Sequence, residues 1–448
     1  MHENIAPSRS LVRRAAAASL IGTTVEWYDY FIFGSASALV FGKLFFPDST
    51  PLVGTLSSFA VFGVGFFARP LGGIVFGHIG DRVGRKTALV TTLLIMGIAT
   101  FCVGLLPTAH TIGVGAPILL VVLRLVQGFG VGGEWGGASL VAVEFAPAGR
   151  RGRYGSAPQV GNALGVALST GAFAAVSQLP DAQLYSWGWR IPFLASAILI
   201  VAGLLIRLRL TETPAFTAAR ERAELAAAPL KDALRHSRKP ILLAAGMRVS
   251  ENVFGYIILT FLLSYGTDRL HLSRGVLLSA TTVAAIAGMA ACYGFGALSD
   301  RVGRRPVFLF GAVFSAVFAF PMFALLDLRA TPMVVIAVVL AYTFGVSAQY
   351  GVEPSFFAEL FGTGVRYTGM SLSSQIAAVF AGGLAPFIAT ALTGAAGGRP
   401  WPVAAYVLVA SLITVVAVLG SAETFRATLS RPEPAAPDTA TTPTTSPS

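Results

Sequence analysis

Gly77-His78-Ile79-Gly80-Asp81-Arg82-Val83-Gly84-Arg85-Lys86 returns as Gly296-Ala297-Leu298-Ser299-Asp300-Arg301-Val302-Gly303-Arg304-Arg305, every position displaced by 219 residues. The shared pattern, G-x-x-x-D-R-x-G-R-[KR], is a short polar loop set between long apolar runs. A displacement that is constant across the whole motif marks the chain as a tandem of two homologous units, a form of internal symmetry common among membrane proteins.

Outward from these loops the composition is that of a polytopic membrane protein: 54% hydrophobic and 12% charged residues, with a mean hydropathy of +0.72, outside the range of ordinary soluble domains. A hydrocarbon core of about 30 Å needs roughly 20 apolar residues per crossing. Twelve such runs are present, at 15–42, 54–80, 86–106, 116–144, 153–178, 189–208, 241–266, 275–299, 306–326, 332–359, 366–394 and 401–420. With no water to satisfy the backbone in lipid, each must be a helix. The sequence therefore predicts an all-α membrane protein of twelve transmembrane helices in two pseudo-symmetric six-helix bundles, 15–208 and 241–420. A cytoplasmic N-terminal segment (1–14), a linker (209–240) and a disordered Pro/Ala/Thr/Ser tail (421–448) complete the expected organisation.

The loops alternate in charge. Alternate segments, starting from the N-terminus, hold 23 Lys and Arg, while the intervening ones hold only Lys43, Arg269, Arg274, Arg329 and Arg399. By the positive-inside rule both termini are expected in the cytoplasm and the chain in a bacterial-type plasma membrane. The net charge of +11 is mostly this orientation signal, since no soluble basic surface exists on which nucleic acid could bind. Residues 1–10 are too polar and short for a secretory signal, so the first span is expected to stay attached. Cys102 and Cys292 lie in runs of different halves and suggest neither a disulfide nor a metal site. No cofactor is expected.

Charges inside the spans are the candidate functional residues, because a charge at the bilayer centre costs roughly 2.5 to 3.5 kcal/mol on insertion scales and so faces a polar cavity. Glu26 and Asp29 lie three residues apart on one face of the first span. They are candidate proton-coupling groups, or else a static brace against Arg69 or Arg124. On the fourth span Arg124, Gln127 and Glu134 form one polar stripe. Arg124 suits an anionic solute group, and Glu134 is a further proton candidate. Glu353 repeats Glu134 at the 219-residue displacement, with Gln349 one turn earlier. On the seventh span Arg248, Glu251 and Asn252 share a face, followed by Tyr256, and these four, with Arg124 and Gln127 and the polar stripe of Gln349 and Glu353 on the tenth span, are the candidate solute contacts. Arg248 is either a solute contact or an i, i+3 partner of Glu251. Arg190, next to Trp189, reads as a snorkelling residue beside an aromatic belt.

Val25-Glu26-Trp27-Tyr28-Asp29-Tyr30-Phe31, Ala68-Arg69-Pro70-Leu71-Gly72-Gly73, Arg124-Leu125-Val126-Gln127-Gly128 with Gly132-Gly133-Glu134-Trp135-Gly136-Gly137, and Trp187-Gly188-Trp189-Arg190-Ile191-Pro192-Phe193, in that order beside the two repeated loops, resemble the major facilitator superfamily. More closely they resemble its metabolite:proton symporters, which carry shikimate, 2-oxoglutarate, citrate, proline or betaine. The resemblance implies alternating access, in which two six-helix halves rock about a central site and inward proton flow drives uptake of a small solute by a monomer in the bilayer. The export branch of that superfamily carries a Gly-Pro pair in the fifth helix. Gly161-Asn162-Ala163-Leu164-Gly165-Val166 has none, which favours import over that export branch; a proton-coupled antiporter or exporter, or a uniporter, of the same fold is the alternative.

The repeated loops read as a latch between the halves. Gly77, Asp81, Arg82, Gly84 and Arg85, with Glu144, would make one half of it, and Asp300, Arg301, Arg304 and Glu359 a weaker twin. A membrane enzyme would need a nucleophile with its base, or metal ligands, and neither pattern occurs. Gly128-Phe129-Gly130-Val131-Gly132-Gly133 lacks the strand–turn–helix context of a nucleotide fingerprint.

Overall fold

Twelve helical rods follow one another along the chain, one for each apolar run, in a computed structural model that describes residues 9–82, 85–132, 135–144, 146–147, 149–208, 235, 237–361 and 366–426. They are α1 (Arg9–Ala36, continued to Phe45), α2 (Pro51–Arg82), α3 (Arg85–Leu105), α4 (Gly115–Val131 and Trp135–Glu144), α5 (Ala157–Val176), α6 (Arg190–Leu208), α7 (Arg238–Tyr256, continued to Asp268), α8 (Arg274–Val302), α9 (Arg304–Asp327), α10 (Thr331–Leu340, continued to Tyr350, then Glu353–Leu360), α11 (Arg366–Ala377, continued to Ala395) and α12 (Trp401–Leu419). Among the described residues eight helices are long and apolar enough on their own to cross a membrane, and Val90–Leu105 and Gly115–Val131 are shorter apolar helices. The expected linker lies outside the described residues over 209–234.

Packing repeats with the sequence. In the first half α1 packs on α5, α2 on α4 and α3 on α6; in the second α7 packs on α11, α8 on α10 and α9 on α12. The halves meet along α5 and α8 and along α2 and α11. Large apolar side chains such as Leu71, Ile198, Val317 and Val416 point outward, as helices in lipid require, while small and aromatic residues fill the interior.

Local breaks separate the structure from twelve straight rods. α10 was expected to run unbroken over 332–359, but it stops at Tyr350 and restarts at Glu353 with Pro354 in its first turn, where the missing N–H is no loss. Four of the rods carry a π-helical stretch, at Ser37–Phe41 in α1, Ile257–Phe261 in α7, Ala341–Val346 in α10 and Ala378–Gly383 in α11. The first two stand 220 residues apart, so the distortion is part of the repeat. Such bulges are frequent at functional sites because they re-aim side chains along a helix.

Small-residue spacing sets how closely α2 and α4 approach. A Cβ on Gly128 would lie 1.9 Å from the Gly65 carbonyl oxygen, and one on Gly72 would lie 1.9 Å from that of Phe129. Gly294, by contrast, has nothing within 4 Å of such an atom. Gly128→Ala is therefore expected to cost about 1 to 3 kcal/mol through overpacking and to lower the thermal midpoint of the purified, detergent-solubilised protein. Gly294→Ala should leave it unchanged; equal midpoints for the two variants would contradict the close α2–α4 contact.

Candidate functional site

A small cavity of about 40 Å³ lies between the halves. The first half contributes Trp27 and Phe31 from α1 and Asn162 from α5; the second contributes Arg248, Glu251, Asn252, Gly255, Tyr256 and Leu259 from α7 and Tyr342, Val346 and Tyr350 from α10. Tyr342 and Val346 stand in the π-helical stretch of α10, and Tyr256 directly precedes that of α7. The widened turns thus lie where aromatic side chains must be presented to the cavity.

Arg248 is the centre of charge. Its Nε lies 3.2 Å from Glu251 Oε1 and 2.9 Å from Glu353 Oε1. The first contact is an aligned hydrogen bond. The second is a charge contact without hydrogen-bond alignment, and both Glu353 oxygens lack a hydrogen-bond partner among the described residues. Arg248 also donates to the Ser374 hydroxyl of α11, and its guanidinium stands 4.5 Å over the Trp135 ring of the opposite half. Asn252 donates to Glu251 Oε1 at 2.7 Å. One guanidinium thus serves two buried carboxylates. Of the two sequence alternatives for Arg248, the pairing with Glu251 is formed, and the same side chain also lines the cavity.

The other candidates are distributed differently. Gln349 does not line the cavity: it turns into the second half, donating to the Gly345 carbonyl at 2.7 Å beside Ser250 and Ser315. Arg124 and Gln127 also sit behind the cavity wall. Arg124 donates to the Phe62 carbonyl (3.2 Å) and to Gln127 Oε1 (3.1 Å), and Gln127 donates to Thr100 Oγ1 (2.8 Å). Asp29 is fully buried, and neither of its oxygens has a hydrogen-bond partner among the described residues. The Thr100 hydroxyl stands beside it but gives its hydrogen to the Met96 carbonyl. The alternative reading of Asp29 as a brace against Arg69 or Arg124 finds no such contact among the described residues. Glu26 is buried on α1. Glu134 and the side chain of Glu144 lie outside the described residues. Trp189 is no belt residue: it is fully buried among Phe41, Phe45 and Phe193, while Arg190 reaches the Gly104 carbonyl at 2.8 Å.

At the end of the bundle that carries the repeated loops, the second copy joins the halves. Asp300 accepts from the backbone N–H groups of Gly152 (2.8 Å) and Arg153 (2.9 Å), across the interface. Arg304 holds Asp300 at 2.8 Å and grips Glu359 through Nε (3.2 Å) and Nη2 (3.1 Å). Gly303 turns the chain at φ +106°, a value that side-chain-bearing residues avoid. Arg301 is exposed and outside this network. Glu423, not foreseen, accepts from the N–H groups of Arg304 (2.9 Å) and Arg305 (3.0 Å) and so caps α9. The start of the expected tail is therefore tied down. Of the first copy, Gly77, Asp81, Arg82, Gly84 and Arg85 lie outside the described side chains. At the far end a second bridge crosses the halves, where Arg274 meets Asp181 (2.7 Å) and the Tyr185 hydroxyl (2.8 Å). The cavity is thus bracketed by contacts at both ends.

The sequence model of the "Sugar (and other) transporter" family matches residues 15–238 and 228–431. The chain is 41% identical over 423 residues to the shikimate transporter of Escherichia coli K12, covering 92% of this chain and 95% of that one. It is 36% identical to the proline/betaine transporter of the same organism, covering 95% and 87%. Its fold matches the E. coli xylose transporter XylE in a partially occluded inward-open conformation, with a TM-score of 0.73 at 18% identity over 93% of this chain and 99% of that one.

Asp300→Ala removes the acceptor of two N–H groups and one partner of Arg304, so the halves should part more readily at that end. In a background lacking Cys102 and Cys292, alkylation of a cysteine placed at the buried Ser156 should rise several-fold over the same cysteine with Asp300 intact. Unchanged labelling would show that this contact does not hold the halves together.

Proposed function

Because the chain belongs to the sugar (and other) transporter family of the major facilitator superfamily, a family of membrane transporters, we propose that it imports a small carboxylate or zwitterion together with a proton by alternating access. The observation that carries the coupling is the cluster at the cavity wall, with one guanidinium facing two buried carboxylates. Taking an unpaired ion out of water costs several kcal/mol. A sealed cavity therefore favours the cluster with one proton bound, and a cavity open to water relaxes that demand. Proton occupancy and accessibility are linked in this way. Glu251 and Glu353, read from the sequence as solute contacts, thus become the proton carriers of this mechanism. Asp29, buried without a partner, is a second place for a proton.

The solute occupies the cavity between Trp27, Phe31, Tyr256, Tyr342 and Tyr350, whose rings offer apolar faces and hydroxyls, with Asn162 and Asn252 as further polar contacts. A cyclic or compact acid and a quaternary zwitterion both fit such a lining. The named cargoes of the two relatives, shikimate and proline or betaine, share a carboxylate and differ in the remainder. The excess of Lys and Arg supports a cytoplasmic position for the repeated-loop end, and in this reading the bridges at Asp300 and Arg274 alternate as inner and outer closures.

The test is uptake into proteoliposomes with an imposed pH gradient, over shikimate, 2-oxoglutarate, citrate, benzoate and betaine. Accumulation should require an acidic exterior and collapse with a protonophore. Accumulation unaffected by the gradient, or driven by an acidic interior, would overturn proton symport. Glu353→Gln fixes the cluster in its neutral form; it should abolish accumulation while leaving solute exchange across the membrane close to wild type. Loss of both activities would make Glu353 structural.

A further inference from the structure

Two buried guanidiniums of the first half have no carboxylate of their own. Arg69 and Arg124 are 5% and 1% exposed and both lie against the Tyr30 ring, at 4.5 and 4.4 Å from its centroid. Arg69 also faces Phe66 at 4.3 Å, and Arg124 faces Phe33 at 4.4 Å and Phe62 at 4.7 Å. Among the described residues Nε and Nη2 of Arg69 and Nη2 of Arg124 have no hydrogen-bond partner. Neither residue forms an ion pair among the described residues. Aromatic faces return to a desolvated cation only part of what burying it costs. Three unused donors on two cations around one ring make a site prepared for an anion with two oxygens.

The cavity ends one ring short of this pair. Tyr256 lines it, and the same ring packs at centroid distances of 5.5 Å on Phe66, 5.8 Å on Phe62 and 6.2 Å on Tyr30, the rings that cover the arginines. The Tyr256 ring packs directly on the Gly382 backbone, where a Cβ would lie 2.9 Å from Tyr256 Cε2, so only a glycine there admits the ring in its present position. α7 turns π-helical at the next residue. Arg248, by contrast, already faces two carboxylates, and a third entering beside it would be repelled.

We propose that Arg69 and Arg124 together bind the carboxylate of the transported solute, which reaches them from the cavity when the Tyr256 ring swings aside. This rests on the reading of the chain as a carrier of carboxylates or zwitterions and adds where the anionic group is held. It places the remainder of the solute in the aromatic cavity, away from Glu251 and Glu353, and it disfavours a second carboxylate on the cargo.

Binding of shikimate, benzoate, 2-oxoglutarate and citrate to the purified full chain, each compared with its uncharged amide, separates the possibilities. Arg69→Gln and Arg124→Gln should each weaken binding of the preferred acid roughly tenfold or more while leaving its amide close to wild type, and Arg69→Lys should restore part of the preference. A wild-type protein that binds none of these acids, nor betaine, overturns the carrier reading. Wild-type binding with an acid-over-amide preference unchanged in both Gln variants overturns this inference alone. Should those variants fail to fold, arginine modification by phenylglyoxal in the wild type decides. The preferred acid, and not its amide, should protect Arg69 and Arg124, as read by mass spectrometry; protection of Arg248 alone would assign the carboxylate there.

Discussion

One guanidinium held between two carboxylates, where no bulk water can reach all three, is the constraint around which the second half is arranged. Arg248 and Glu251 come from α7, Glu353 from the restart of α10 and Ser374 from α11, so three helices must meet for the charges to be tolerable. The Trp135 ring closes the group from the opposite half. Any movement between the halves changes what covers this cluster, and its stable protonation changes with that cover. A static scaffold would gain more from apolar side chains of the same size.

The two halves share a packing scheme and differ in charge. Helix pairs repeat from one bundle to the other, and the π-helical stretches of α1 and α7 correspond. Around the interface, however, the first half presents guanidiniums at Arg69 and Arg124 that pair with no carboxylate among the described residues, and the second presents a surplus carboxylate beside Arg248. In the proposed mechanism the repeated fold supplies symmetry of motion, while the unequal charge supplies two different chemistries, one for an anion and one for a proton. Tyr256 stands at the junction of the two.

Much of the fold was legible in the sequence because lipid leaves few options: apolar length predicts a span, and the displaced loops predict the twofold repeat. Arg248, Glu251 and Glu353 were legible for the same reason, since a charge in a span is too costly to lack a role. Trp27, Phe31, Tyr342 and Tyr350 were not, because an aromatic residue at helical spacing looks alike whether it faces a core or a cavity. Gln349 shows the converse. Its place on a polar stripe suggested the cavity, but the broken, widened α10 turns it toward Ser250 and Ser315. The bridges from Asp300 to Gly152 and from Arg274 to Asp181 join residues more than ninety positions apart, and only the three-dimensional pairing of the halves brings them together.

The most direct test of this account is the distance between the halves measured at both ends of the same protein, with spin-label pairs across the Gly152–Asp300 contact and across the Asp181–Arg274 contact. The account predicts opposite changes, one end widening as the other narrows, when the pH is lowered and solute is added. Distances that stay fixed at both ends, or that widen together, would contradict a rocking of the two halves about the charged cavity.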